Sequence, residues 1–378
     1  MRRTLQPSGV LAVMIASAIA LAGCGSDSGD SSNDNASSAG ESGSATTAPE
    51  PRTTPPTEIP ITDPLSAPPE QGKTFYWLQC ELPVCATIAE GMKAAVAAAG
   101  WKYETQVFKA SDPGAGLESA LQRNPDAIGI TGIPSEAVKP QLADAAKADI
   151  PVVTCATPEK PSTTTYGAIC GSTTGPDGEN LALWAIRDSE GKANIVSVTV
   201  PSFPSLATTT NGTKDTAAEY CPDCTTDTLD VTVDDIGTGQ VAPKLIAYLQ
   251  SNPDVNYVLF VFADLANGVP EALKAAGLSD KVKLIGNGAT SGQFQGVADG
   301  TQAAWGAYPY QYQGFVMMDA ALRLTADGKL PDGYEEKIES NPTYIVDSPD
   351  AANELAPKFE WPGPANYEEQ FEKLWTGG

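Results

Sequence analysis

From Thr74 onward the chain alternates short apolar runs with amphipathic ones, and that alternation constrains the fold more than any other feature. "TFYWLQ" (74–79) reads as a buried strand. Val84, Ile88, Met92, Val96 and Ala99 then fall on one helical face, and Gly100 stops the helix. "YETQVF", a helix over 114–123, "DAIGIT", a helix over 135–148 and "PVVTC" behind Pro151 continue the pattern. A second series follows, with "NIVSVTV", a helix over 206–220, "TTDTLDV", a helix over 240–250, "YVLFVF", a helix over 266–276 and "KLIG". Short, continuously apolar strands between amphipathic helices indicate parallel sheets covered on both faces. Two such series predict an α/β protein of two Rossmann-like lobes. Ligands of open parallel sheets sit at the C-terminal strand ends, so a cleft between the lobes is the expected site.

The N-terminus sets the compartment. Arg2 and Arg3 precede an apolar run from Val10 to Ala22 that is too short to span a bilayer, and "LAGC" ends it at Cys24. This order resembles a bacterial lipoprotein signal, which implies cleavage after residue 23 and lipidation of Cys24. Residues 24–73 are dominated by Ser, Thr, Gly, Pro and Asp, and are read as a disordered tether holding the folded part off an extracytoplasmic membrane face. No later segment is long and apolar enough to cross a bilayer. The net charge of −24 argues against binding nucleic acid by charge.

Six cysteines remain after Cys24: Cys80, Cys85, Cys155, Cys170, Cys221 and Cys224. An even count in an oxidising compartment favours disulfides, and neighbours pair most simply, as Cys80–Cys85, Cys155–Cys170 and Cys221–Cys224. "CPDC" has redox spacing, but it follows a helix and precedes a strand, whereas the redox motif opens a helix. The chain has no histidine, which leaves no Ser-His or Cys-His nucleophile and makes a zinc site improbable by ligand supply. "SEGK" lacks its partner motifs, and "GTGQ" is not followed by the Lys-Ser/Thr of a phosphate loop. No catalytic residue, metal or cofactor is expected. "NGT" at Asn211 is read as a plain turn rather than a glycosylation acceptor.

Over 74–347 the order of these pieces, with "YVLFVFADLANGVPEALKAAG", "LIGNG" and "ADGTQAAWGAYPYQYQG", resembles the type 1 periplasmic binding proteins of the ribose- and galactose-binding group. The resemblance implies two lobes joined by a three-strand hinge, with crossings near Gly171, Gly288 and Ser340. It assigns 74–171 and 289–340 to the N-terminal lobe, and 172–288 and 341–378 to the C-terminal lobe. It also implies a monomeric solute receptor for an ABC permease, held to the membrane by its lipid anchor. Matching strand ends gives Gln79, Glu81, Thr131, Thr157, Phe203, Asn211, Asp264, Asn287 and Tyr308 as ligand-binding residues, with the Cys80–Cys85 loop stiffening the cleft rim.

The sequence departs from its sugar-binding relatives at most of these places. Ala156-Thr157 stands where they carry an Asp-Arg pair, Thr209 to Asn211 where an arginine lies, Asn287 for an aspartate and Ala307 for a glutamine. Fewer charged groups and several aromatics (Trp77, Phe203, Trp305, Tyr308, Tyr310) suit a small neutral organic solute, stacked either as a sugar on its apolar side or as a flat organic compound, and the resemblance implies the sugar or polyol type. Trp77 and Trp305 can equally be core residues. The alternatives are a receptor for a less hydroxylated aromatic or apolar compound, a ligand sensor for a membrane kinase and, more remotely, a secreted hydrolase using carboxylates.

Overall fold

A computed structural model describes residues 48–81, 83–109, 111–157, 166–170, 174–339 and 343–377. The signal segment, Cys24 and the first part of the expected tether lie outside them.

The first lobe is built from β1 (Thr74–Gln79), α1 (Pro83–Ala98), β2 (Lys102–Val107), α2 (Pro113–Leu121), β3 (Ala127–Thr131), α3 (Lys139–Lys147), β4 (Val152–Cys155) and β5 (Tyr166–Cys170). Its sheet runs β2-β1-β3-β4-β5, parallel throughout. The second lobe begins with α4 (Thr174–Asp188), β6 (Asn194–Thr199), α5 (Ala207–Tyr220), β7 (Thr225–Asp230), α6 (Val233–Gly237) and α7 (Val241–Ser251). It continues through β8 (Tyr257–Phe260), α8 (Val269–Ala276), β9 (Lys283–Asn287), α9 (Ser291–Ala298) and β10 (Ala304–Ala307). After these come α10 (Tyr310–Asp327), α11 (Tyr334–Glu339), β11 (Tyr344–Val346), α12 (Pro349–Leu355) and α13 (Tyr367–Thr376). The second sheet runs β11-β10-β9-β8-β6-β7, with only β11 antiparallel. Read from their first strands, both lobes wind in the same order, so each reverses direction at one point: between β1 and β3, and between β6 and β8.

The expected α/β architecture is present, but the lobe boundaries differ from the expected division. β10 extends the second sheet beside β9, so that lobe runs to Ala307 and the chain leaves it at Tyr308–Pro309 rather than near Gly288. α10 and α11 then return to the first lobe, where Phe315, Met318, Tyr334 and Ile338 join its core. β11 and α12 go back to the second lobe, with Ala352 and Leu355 in that core. A further crossing follows: Trp361 packs edge-on against Tyr344 in the second core (centroids 5.1 Å apart), while Tyr367, Phe371 and Trp375 of α13 are buried in the first. The segment 341–378 is therefore shared between lobes. The crossing expected near Gly171, and the residues about Ser340, lie outside the described residues.

The tether reading also needs correction. Residues 48–73 form a strap seated on the folded chain. Ile59, Ile61 and Leu65 are buried in the first-lobe core, and the Leu65 N–H donates to the Leu374 carbonyl at 2.8 Å. A mostly polar composition hid three aliphatic side chains that are buried in the first-lobe core and seat the strap.

α1 and α10 approach closely enough to need glycine on both sides. A Cβ at Gly91 would stand 2.0 Å from the Gln311 carbonyl oxygen, and one at Gly314 would stand 2.3 Å from the Met92 nitrogen. Midway along α10, the buried Asp319 accepts from Arg323 Nε (2.8 Å), Tyr334 Oη (2.6 Å) and Trp375 Nε1 (2.9 Å), tying α10, α11 and α13 together. Trp77 and Trp305 are both fully buried, Trp305 stacking on Phe260, so they are core residues rather than cleft walls.

Two disulfides are described, Cys80–Cys85 from the end of β1 to the first turn of α1, and Cys221–Cys224 after α5. β4 and β5 pair with Cys155 opposite Cys170, but the side chain of Cys170 lies outside the described ones.

Candidate functional site

The two points where strand order reverses lie at the carboxyl ends of β1/β3 and β6/β8, where an open parallel sheet leaves a crevice. From the first lobe, Gln79 ends β1 half-buried and Glu81 follows it exposed. Thr131 ends β3 and donates to the Cys155 carbonyl at 3.2 Å. Thr157, two residues beyond β4, is buried, and its hydroxyl has no partner among the described residues.

From the second lobe, Asp264 follows β8, Asn287 ends β9, and Tyr308 and Tyr310 follow β10. These converge on Tyr310. Its ring lies 5.0 Å from that of Tyr308, and its hydroxyl donates to the Gly288 carbonyl at 3.1 Å. Burial raises the Tyr310 phenol, and the negative charges of Glu360, Asp264 and Asp177 push it further. Asp264 is exposed, yet burial raises its carboxyl above the usual range. Both hold for a group that water reaches inside a concave protein surface. Tyr308 is 8% exposed and accepts a hydrogen bond from Gln313 Nε2 at 3.3 Å.

Two buried carboxylates unforeseen in the sequence complete this region. Asp177, in the first turn of α4, accepts from Thr343 Oγ1 at 2.7 Å and Asn287 Nδ2 at 3.1 Å, and burial pushes it up to about 6. Glu360 lies on the last crossing and caps α10 from a distance, accepting from the main-chain N–H of Tyr310 (2.5 Å) and Gln311 (3.2 Å). Its burial outweighs those bonds and raises it to about 7. Asn287, read from the sequence as a ligand contact, spends its amide on Asp177. Its Oδ1 is buried with no partner among the described residues, beside the space a Cβ on Gly306 would fill.

The remaining expected residues stand differently. Phe203 packs half-buried against the second-lobe core. Asn211 lies on the exposed side of α5, while Thr209 and Thr213 are the buried ones and Thr213 donates to the Gly178 carbonyl of α4 at 3.3 Å. An arginine-like reach from that position is not available to an asparagine. Two surface cavities, of about 380 and 580 Å³, lie elsewhere. One is between the strap and α13, the other at the amino ends of β8 and β9, away from the crevice. Among the described residues no group of three or more Cys, Asp or Glu could hold a metal ion, and no helix is long and apolar enough to cross a membrane.

Comparison with known proteins agrees with this architecture. The periplasmic binding protein domain matches residues 67–330, and the chain belongs to that family. Its members are solute-binding components of transporters, not enzymes. No curated protein matches the sequence. Among solved structures, the chain is similar to an ABC transporter solute-binding protein from Agrobacterium vitis with bound allitol (20% identity, TM-score 0.62, covering 76% of this chain and 99% of that one). It is likewise similar to a carbohydrate transporter from Acidothermus cellulolyticus in complex with myo-inositol (19%, 0.60, 76% and 97%). A solute-binding protein from Actinobacillus succinogenes with bound D-allose gives 18%, 0.62, 75% and 99%. At these identities the likeness establishes the type 1 fold of ABC-transporter sugar-binding proteins.

Proposed function

We propose that the protein is the lipid-anchored, monomeric receptor of an ABC importer and binds a small neutral solute of sugar or polyol type between its lobes by hinge closure. The observation that carries this reading is the gathering of Asp264, Asn287, Tyr308 and Tyr310 at the carboxyl ends of β8, β9 and β10. A water-accessible carboxylate accepts hydroxyl donors, and the tyrosine faces cover the apolar side of a sugar ring. Gln79, Glu81, Thr131 and Thr157 would meet the solute from the first lobe, and Phe203 from the second. The bound allitol, myo-inositol and D-allose of structurally similar proteins support the same solute class. Cys24 would carry the lipid, outside the cytoplasm, and the permease would recognise the closed form.

The density of aromatic side chains at the site favours one second reading, a less hydroxylated aromatic solute. A thermal-shift screen of aldoses and polyols against aromatic compounds decides between them. A melting temperature raised by a polyol or aldose supports the first, and a rise confined to aromatic compounds replaces it with the second.

A further inference from the structure

The strap ahead of β1 is seated on both lobes. On the second, the Asn180 carboxamide of α4 holds both main-chain groups of Arg52, accepting from its N–H at 2.6 Å and donating to its carbonyl at 3.2 Å. The same carbonyl accepts the Ile345 N–H of β11 at 2.8 Å, and the Arg52 guanidinium donates to the Thr343 carbonyl at 3.1 Å. Just before this, Glu50 pairs with Arg187.

On the first lobe, the Ile59 N–H donates to Gln370 of α13 at 3.0 Å, the Asp63 carbonyl accepts from Arg323 at 2.6 Å, and the Asp63 carboxylate pairs with Lys337. Between the two seats, residues 53–58 are almost wholly exposed. Lys337 and Thr343 flank one of the covalent crossings, so the strap runs beside the hinge as an additional, non-covalent link.

Its second-lobe seat is also joined to the floor of the crevice. Thr343 accepts from Arg52 through its carbonyl and donates to Asp177 through its hydroxyl; Asp177 in turn accepts from Asn287. Asn287 precedes Gly288, whose carbonyl accepts from Tyr310. A displacement of β9 against α10 thus bears on the groups that hold Arg52.

We infer that residues 48–65 form a clasp that restrains the hinge, its second-lobe seat at Arg52 and Asn180 engaging or releasing as the lobes move. The clasp rests on the receptor reading for its purpose, since a solute that favours one lobe arrangement must then alter clasp occupancy, and an unseated clasp must alter solute affinity by the same factor. Arg52 is exposed and Asn180 half-buried, so either side chain can be shortened while the buried Thr343 and Ile345 beneath them stay in place. The seat also lies at the N-terminal end of the described residues, on the part of the chain that follows Cys24.

The test uses the full-length protein without solute. In Asn180→Ala and Arg52→Ala, exchange of the main-chain amides at positions 52 and 345 should quicken by about tenfold or more. The distance distribution between spin labels on non-canonical residues at Glu104 and Lys214, exposed on the first and second lobes, should shift or broaden. Amides that quicken while the inter-lobe distribution stays as in wild type would overturn the clasp, as would amides that remain protected in both variants. Titration with whichever aldose or polyol the screen selects should then show affinity changed about fivefold or more, within the usual range of coupling between sites. Failure of every solute to bind would sink the receptor reading and leave the label distances to decide the clasp alone.

Discussion

Replacing Asp177 by asparagine should stabilise the protein at neutral pH and leave it unchanged in acid. Asp177 is 5% exposed, and burial raises its carboxyl from 3.8 to about 6 despite two hydrogen bonds and the Arg52 charge. The folded state therefore holds the proton more tightly than the unfolded chain. Stability is greatest below about 4, falls as pH rises from 4 to 6 while the unfolded chain ionises first, and levels off above that range. A rise of about two units corresponds to about 3 kcal/mol, the amount by which ionised Asp177 weakens the fold. Asparagine keeps an oxygen for Thr343. Its amide can donate to Asn287 Oδ1, which has no partner among the described residues, once Asn287 turns over. The gain for Asp177→Asn should thus grow from near zero at pH 3 through about 1 kcal/mol at pH 4.5 to about 3 kcal/mol at pH 7.5. Asp177→Ala gives the contrast, since it strands the Thr343 hydroxyl and the Asn287 amide in a buried place and should cost about 2–4 kcal/mol at pH 4.5. Denaturant unfolding of both variants at these pH values measures this. Parallel pH profiles for wild type and Asp177→Asn, or an asparagine variant as weak at pH 4.5 as the alanine one, would refute the reasoning.

Glu360→Gln should flatten a second part of the same profile. Wild-type Glu360 is raised to about 7, so stability falls as pH rises from about 4.5 to 7; melting curves across that range should lose this slope in the variant. Asp319→Ala should cost about 3–5 kcal/mol by leaving the buried Arg323 charge uncompensated, read as a lowered denaturant midpoint. Trp77→Ala, which empties a fully buried indole in the first sheet, should cost about 3–5 kcal/mol in the same assay without removing any crevice group.

The two sheets were legible because their strands are uninterrupted apolar runs between helices of clear periodicity, and this survives without any tertiary information. The less regular parts were not. Asp177 lies in "GPDGEN", whose Gly-Pro-Asp-Gly composition reads as a turn although it forms the start of α4. Glu360 acts through main-chain groups fifty residues away in sequence, a relation that no local pattern encodes. The strap was hidden by its polar composition, since Ile59, Ile61 and Leu65 follow neither helical nor strand periodicity over enough residues to register. At the crevice, strand ends led to Asp264, Asn287 and Tyr308, which lie after β8, at the end of β9 and after β10. Sequence alone could not tell that Asn287 faces a buried carboxylate, or that Trp77 and Trp305 point into the cores.

Isothermal titration of the aldose or polyol that most raises the melting temperature, into wild type, Tyr308→Ala and Asp264→Asn, tests the receptor reading most directly. On the proposed reading Tyr308 would offer ring surface and Asp264 a hydroxyl acceptor, so each change should weaken binding by about 1–3 kcal/mol, roughly 5- to 150-fold. Asp264 is exposed, and its variant should melt as wild type does. Saturable one-to-one binding that both substitutions weaken is the predicted result; wild-type affinity in both variants would contradict the account.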